Sequence, residues 1–170
     1  MQRRPALLFP ATTVAAGIVI AYLPLAAGGP AAALGLFVQA LAATAGRYGA
    51  GRLGDRCGHA RLVWPGLAVS GLGMVLLIGV GLPAVPVVAM AVFGIGFGIL
   101  QSATYALMVE RAPAGGRGAV SALWNLAYDL GYGLGPLAFA TVVGTSGYAP
   151  AFALTGLVLL TRLRAARRVR

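Results

Sequence analysis

The chain contains no lysine, one cysteine, one histidine and only three acidic residues among 170. Each shortage excludes something. With Cys57 alone, no disulfide can close within the chain and no cysteine-based metal site can be built. With His59 alone, a histidine cluster for a metal is excluded too. No nucleophile is paired with a base, so the chain is not read as an enzyme and no cofactor is expected. Charged residues make up 9% of the chain, against about 25% in a soluble domain. A water-soluble fold of this composition would have nothing to cover its surface with.

What is present is apolar. Hydrophobic residues account for 59% of the chain and the mean hydropathy is +0.88, which places it among integral membrane proteins. The net charge of +10 comes from thirteen arginines. They sit in short clusters between apolar runs and not along one solvent-facing helix, which argues against nucleic acid.

Six apolar segments approach the ~20 residues needed to cross a ~30 Å hydrocarbon core. They are predicted over 6–27, 31–50, 62–81, 84–109, 118–143 and 147–163, giving one six-helix bundle over residues 1–170. Turn chemistry separates them: Gly28-Gly29-Pro30, Gly81-Leu82-Pro83 and Gly144-Thr145-Ser146-Gly147. Arg3 and Arg4 precede the first segment and Arg52, Arg56 and Arg61 follow the second. Arg111 and Arg117 follow the fourth, and Arg162, Arg164, Arg167, Arg168 and Arg170 follow the sixth. The loops on the other side carry no charge, so both termini are expected in the cytoplasm, with the chain in the inner (plasma) membrane. The first apolar run is longer than the core of a signal peptide and is read as a span.

Asp129 breaks this pattern. It lies twelve residues past Arg117, roughly 18 Å into the segment at 1.5 Å per residue. Ser121, Asn125, Tyr128, Asp129 and Tyr132 share one helical arc, which Pro136 continues. Such a stripe either lines a cavity or glues two helices together; the cavity is the expectation, with Asp129 as its proton-coupling or substrate-binding group. In the fourth segment Gly94, Gly98, Gln101, Thr104, Tyr105 and Met108 share a face. Gly94/Gly98 and Gly131/Gly135 form G-x-x-x-G pairs that let helices approach closely. Gln39 is near mid-depth in the second segment, and Arg47, one turn from its predicted end, is read as an interfacial residue that snorkels to water.

The charged connections have a pattern of their own. Residues 51–61 read G-x-x-x-D-R-x-G-x-x-R, and Glu110 and Arg117 stand in E-x6-R spacing. Both acidic residues can pair with loop arginines; a pair made in only one conformation would be a latch, and ordinary topology-setting charge is the other reading.

Three features resemble the major facilitator superfamily. Gly51, Leu53, Asp55, Arg56, Gly58 and Arg61 are similar to the loop motif that follows the second helix of each six-helix half. Glu110 and Arg117 resemble the charge pair after the fourth helix, notably in sugar porters. Asn125, Asp129, Gly131, Gly135 and Pro136 look like the fifth helix of the C-terminal half in small-solute and drug efflux members. Ala60 stands at a commonly basic position of the loop motif, and His59 precedes it.

The resemblance implies an all-α membrane fold of two inverted three-helix repeats, corresponding to helices 7–12 of a twelve-helix transporter. Substrate sites of that fold lie near the midplane between two halves, which makes Tyr22, Gln39, Gln101, Tyr105, Asn125 and Asp129 candidates beside Tyr128 and Tyr132. Asp55 and Arg56 would belong to a cytoplasmic latch. The expected activity is proton-coupled efflux of a small solute. The partner is an N-terminal half, on a separate chain or as a missing part of this one, or a second copy; truncation or a split gene is favoured over a homodimer. The other class kept open is a membrane protein that binds or regulates another membrane protein without transporting, or an inactive fragment.

Overall fold

The computed structural model describes residues 4–163, with side chains from residue 10 onward. Arg3, Arg164, Arg167, Arg168 and Arg170, used in the orientation argument, lie outside the described residues, as does the Arg4 side chain. Every element among the described residues is helical. They are α1 (Arg4–Ala27), α2 (Gly29–Cys57), α3 (Ala60–Leu76) extended by a 3₁₀ turn at Leu77–Gly79, α4 (Val85–Glu110), α5 (Arg117–Ser146) and α6 (Tyr148–Thr161). Five are long and apolar enough to cross a membrane. The described part of α6 has 14 residues, about 21 Å of helix, which is short of a ~30 Å core.

The largest departure from expectation is at α2. The segment predicted to end at residue 50 continues to Cys57, so Gly51, Asp55 and Arg56 belong to a helix and not to a loop. Glycines that resemble a stop signal are packing positions here: Ala50 and Gly54 are buried on the same face as Gly46 and Ala43. The terminator is Gly58, whose φ of 89° leaves the helical region while its N–H bonds back to the Gly54 carbonyl. Likewise α5, predicted to end at residue 143, runs to Ser146 and stops at Gly147, with φ 78°.

Packing follows the small residues. α2 lies along α4, where a Cβ on Gly94 would stand 2.5 Å from the Gln39 carbonyl oxygen and one on Gly46 2.5 Å from that of Ile95. α1 lies along α5, with Gly135 against the Val14 carbonyl and Gly17 against the Tyr132 backbone. α3 packs on α4 through Gly66, Gly73 and Gly96, and on α6 through Gly71 and Gly156. In an apolar solvent no hydrophobic force pushes helices together, so close backbone contact of this kind supplies the attraction. Between these pairs lies a core of Leu23, Leu67, Met74, Met90, Phe93, Leu100 and Phe152, all fully buried.

The pairing has a symmetry. The first helix of the triplet α1–α3 packs on the second helix of α4–α6, and α4 packs on α2 in return. The third helices, α3 and α6, pack on each other. Two structurally equivalent three-helix repeats account for this exchange.

Candidate functional site

Helix length sets the level of each side chain. The midpoints of α2, α4 and α5, from their bounds, put Arg47, Gln101, Tyr128 and Asp129 within about 4–6 Å of mid-helix at 1.5 Å per residue. All four lie toward the end that carries the α2–α3 turn. Tyr132 is at the midpoint of α5 itself.

α5 exposes two faces of opposite chemistry. Leu123, Leu126, Leu130, Leu134 and Leu137 form one, each at least half exposed. Asn125 and Asp129 are exposed on the other, continued by the half-buried Ser121, Tyr128, Tyr132 and Pro136. The two faces are roughly 150° apart round the helix. A leucine face satisfied by lipid leaves the polar face to turn away from it. Asp129 has no hydrogen bond or ion pair among the described residues. A lone charge at this depth costs at least about 2.5–3.5 kcal/mol on insertion scales if it faces lipid, so its side of α5 faces water or protein.

An aromatic ladder climbs the same face. Tyr105 of α4 meets Trp124 edge-on at 5.7 Å, Trp124 meets Tyr128 at 5.4 Å, and Tyr128 stacks on Tyr132 at 4.5 Å between ring centres. Phe97 approaches Tyr128 at 6.3 Å. The Tyr105 hydroxyl is 3.1 Å from Ser121 Oγ, and the Tyr128 hydroxyl donates to that of Tyr132 at 2.9 Å. Tyr105, Ser121, Trp124 and Asn125 line an open depression of about 310 Å³. Gln101 lies on the α4 face between Phe97 and Tyr105; it is 4% exposed and its amide oxygen has no partner.

Two expected residues sit apart from this group. Tyr22 is occupied: its hydroxyl donates to the Pro136 carbonyl at 3.2 Å and its ring packs on Phe139 at 4.9 Å. Gln39 is half-buried, with its carbonyl seated on Gly94. Arg47, read from sequence as interfacial, is ten residues from the end of α2, but Arg52, Asp55 and Arg56 are exposed in the turns between, so the charged part of the helix begins little more than one turn beyond it.

The loop motif has a different centre from the expected one. Gly51 is half-buried in α2, Asp55 and Arg56 are exposed in its last turns, and Arg61 is exposed in the first turn of α3. Glu110 does not pair with Arg117. Its Oε1 accepts from His59 Nδ1 at 2.8 Å, while Asp55 lies 3.8 Å from the other ring nitrogen. Glu110 closes α4 beside the α2–α3 turn, whereas Arg117 opens α5 beyond a six-residue connection. His59 was missed because a lone histidine in a loop offers no partner until the ends of α2 and α4 are brought together. Among the described residues no group of histidine, cysteine and carboxylates could hold a metal.

Long apolar helices, charge gathered at one end and a polar face at mid-depth define a multi-pass membrane protein. Residues 6–163 match the profile of the Major Facilitator Superfamily, and the chain belongs to that family. No curated protein matches the chain.

Proposed function

We propose that this chain acts as the C-terminal six-helix half, helices 7–12, of a secondary transporter that exports a small solute at the expense of a proton gradient. The observation that carries the reading is the two-faced α5. Its leucines suit lipid, while Asn125, Asp129 and Tyr132 suit a central cavity closed by another half. Alternating access needs two bundles moving about a shared site, so an N-terminal half, carried on another chain or on a longer form of this one, completes the path. In this reading the chain resides in the inner (plasma) membrane, and arginine placement supports an orientation with the α2–α3 turn and both termini in the cytoplasm.

In this reading Asp129 is the coupling group. Its carboxylate has no partner among the described residues, and in this role it would carry the coupled proton. Asp55, Arg56, Arg61 and the His59–Glu110 pair form the cytoplasmic contact surface for the other half. The test is solute-driven proton flux in proteoliposomes holding the native complex, with Asp129→Asn in this chain. Loss of flux with solute binding retained supports the assignment. Coupled transport at the normal stoichiometry overturns it.

A further inference from the structure

We infer that α5 is hinged over Gly131–Pro136, so that the part of it bearing Asn125 and Asp129 swings against the rest of the bundle. The hinge belongs to this chain alone and is independent of the solute and of the role of Asp129.

The segment reads Gly131-Tyr132-Gly133-Leu134-Gly135-Pro136, in the middle of a helix of 30 residues. Each glycine costs a helix about 1 kcal/mol relative to alanine, and Pro136 has no N–H to offer the Tyr132 carbonyl one turn back. Packing accounts for Gly131 and Gly135. A side chain at the first would strike Thr13 of α1, and one at the second the Val14 backbone. Packing does not account for Gly133, where a Cβ would meet nothing within 4 Å. With no neighbour to admit, what glycine contributes there is backbone freedom.

The two sides of the segment are held by different neighbours. Before it, α4 does the holding: the Tyr105 hydroxyl is 3.1 Å from Ser121 Oγ, the Tyr105 ring meets Trp124, and Phe97 approaches Tyr128. After it, Tyr22 of α1 donates to the Pro136 carbonyl at 3.2 Å, and Phe139 packs on Phe152 of α6 at 4.9 Å. Between them α1 lies against the segment itself. The fully buried Thr13 hydroxyl is shared between its own Pro10 carbonyl at 2.9 Å and the Ala127 carbonyl at 3.2 Å. Ala127 is the acceptor that the Gly131 N–H uses in a regular helix. Gly17 lies on the Tyr132 backbone, where a Cβ would be 2.8 Å from the carbonyl oxygen. Hydroxyls and close backbone from a neighbour are what let a membrane helix carry a weak point in its ladder. A weak ladder between two separately anchored lengths, with α1 as the bearing, is the construction of a hinge. Asp129 lies just before Gly131 and Asn125 one turn farther out, so a swing carries the polar stripe with it.

The experiment measures distances between paired spin labels by pulsed electron paramagnetic resonance, on the full chain in nanodiscs with Cys57→Ser. Leu123→Cys with Thr141→Cys puts two labels on one face of α5, about 27 Å apart along the axis. Ala122→Cys with Ala140→Cys does the same about a quarter turn round the helix. At least one pair should show more than one distance. Gly133→Ala, which touches no neighbour, should collapse that pair to a single narrow distance, and Pro136→Ala should act in the same direction. Gly144→Ala, also in open space but outside the segment, should change nothing. Size-exclusion behaviour and thermal melting of each variant confirm that it is folded. One narrow distance for both pairs in the parent chain, no narrowing by Gly133→Ala, or equal narrowing by Gly144→Ala would overturn the hinge. None of these outcomes depends on proton flux in Asp129→Asn, so the hinge and the coupling role fail separately.

Discussion

The Nδ1 atom of His59 lies 2.8 Å from Oε1 of Glu110, tying the α2–α3 turn to the end of α4. The ring is held there by Gly54, at which a side chain would strike it. Half-exposed pairs of this kind contribute about 0–1 kcal/mol. A double-mutant cycle of His59→Ala and Glu110→Ala, read by thermal melting, should return a coupling in that range. Gly54→Ala should cost at least as much as His59→Ala without altering either partner. No effect of Gly54→Ala would mean that the ring is not seated as described.

Glycines on packed and open faces of one helix should behave oppositely. Gly46→Val puts bulk against the Ile95 backbone, where neither helix can yield without separating. It should cost more than about 2 kcal/mol or prevent folding. Gly49, three residues on, faces open space; Gly49→Ala should be neutral or stabilise by up to about 1 kcal/mol. Melting of the two variants in the same detergent decides it. Equal losses would refute the α2–α4 contact.

Asp129 has no partner among the described residues, so Asp129→Asn should leave melting unchanged within about 0.5 kcal/mol or raise it. A helix-gluing carboxylate would instead lose about 1–3 kcal/mol. A clear loss of stability would point to a partner within the bundle and against a cavity position.

The two faces of α5 should differ to a water-soluble thiol reagent. Because Cys57 is the sole cysteine, Cys57→Ser gives a clean background. Asn125→Cys should react with a charged maleimide in intact membranes, whereas Leu126→Cys and Leu130→Cys should resist it. Equal protection at all three would place Asn125 in lipid or in a tight interface.

Tyr22→Phe removes a hydroxyl bonded to Pro136 and should cost about 0.5–1.5 kcal/mol with solute binding by the native complex intact. A binding loss without a stability loss would return Tyr22 to the cavity.

Membrane class and helix number were legible because both depend on composition and run length, which hydrocarbon thickness converts directly into spans. The stripe on α5 was legible for a similar reason. A helix repeats every 3.6 residues, so Ser121, Asn125, Tyr128 and Tyr132 fall together whatever surrounds them. The glycine pairs of α4 and α5 also announced close packing, and Gly94, Gly98, Gly131 and Gly135 each meet a neighbouring helix.

Where α2 ends was not legible. Gly51 and Gly54 carry the composition of a turn, yet contact with the His59 ring and with α4 keeps the chain helical to Cys57. Tertiary packing outweighs a propensity cost of about 1 kcal/mol per glycine. That single shift put Gly51, Asp55 and Arg56 on a helix instead of in a loop. The same is true of the ion pairs: Glu110 and Arg117 are near in sequence, but His59 is nearer in space. The sequence by itself determined the solvent this protein folds in, the number of its helices and the polar faces they carry. Which charges meet, which stay unpaired and what lies across from Gly98 were decided by helix packing alone, because periodicity acts within one helix and contact acts between two.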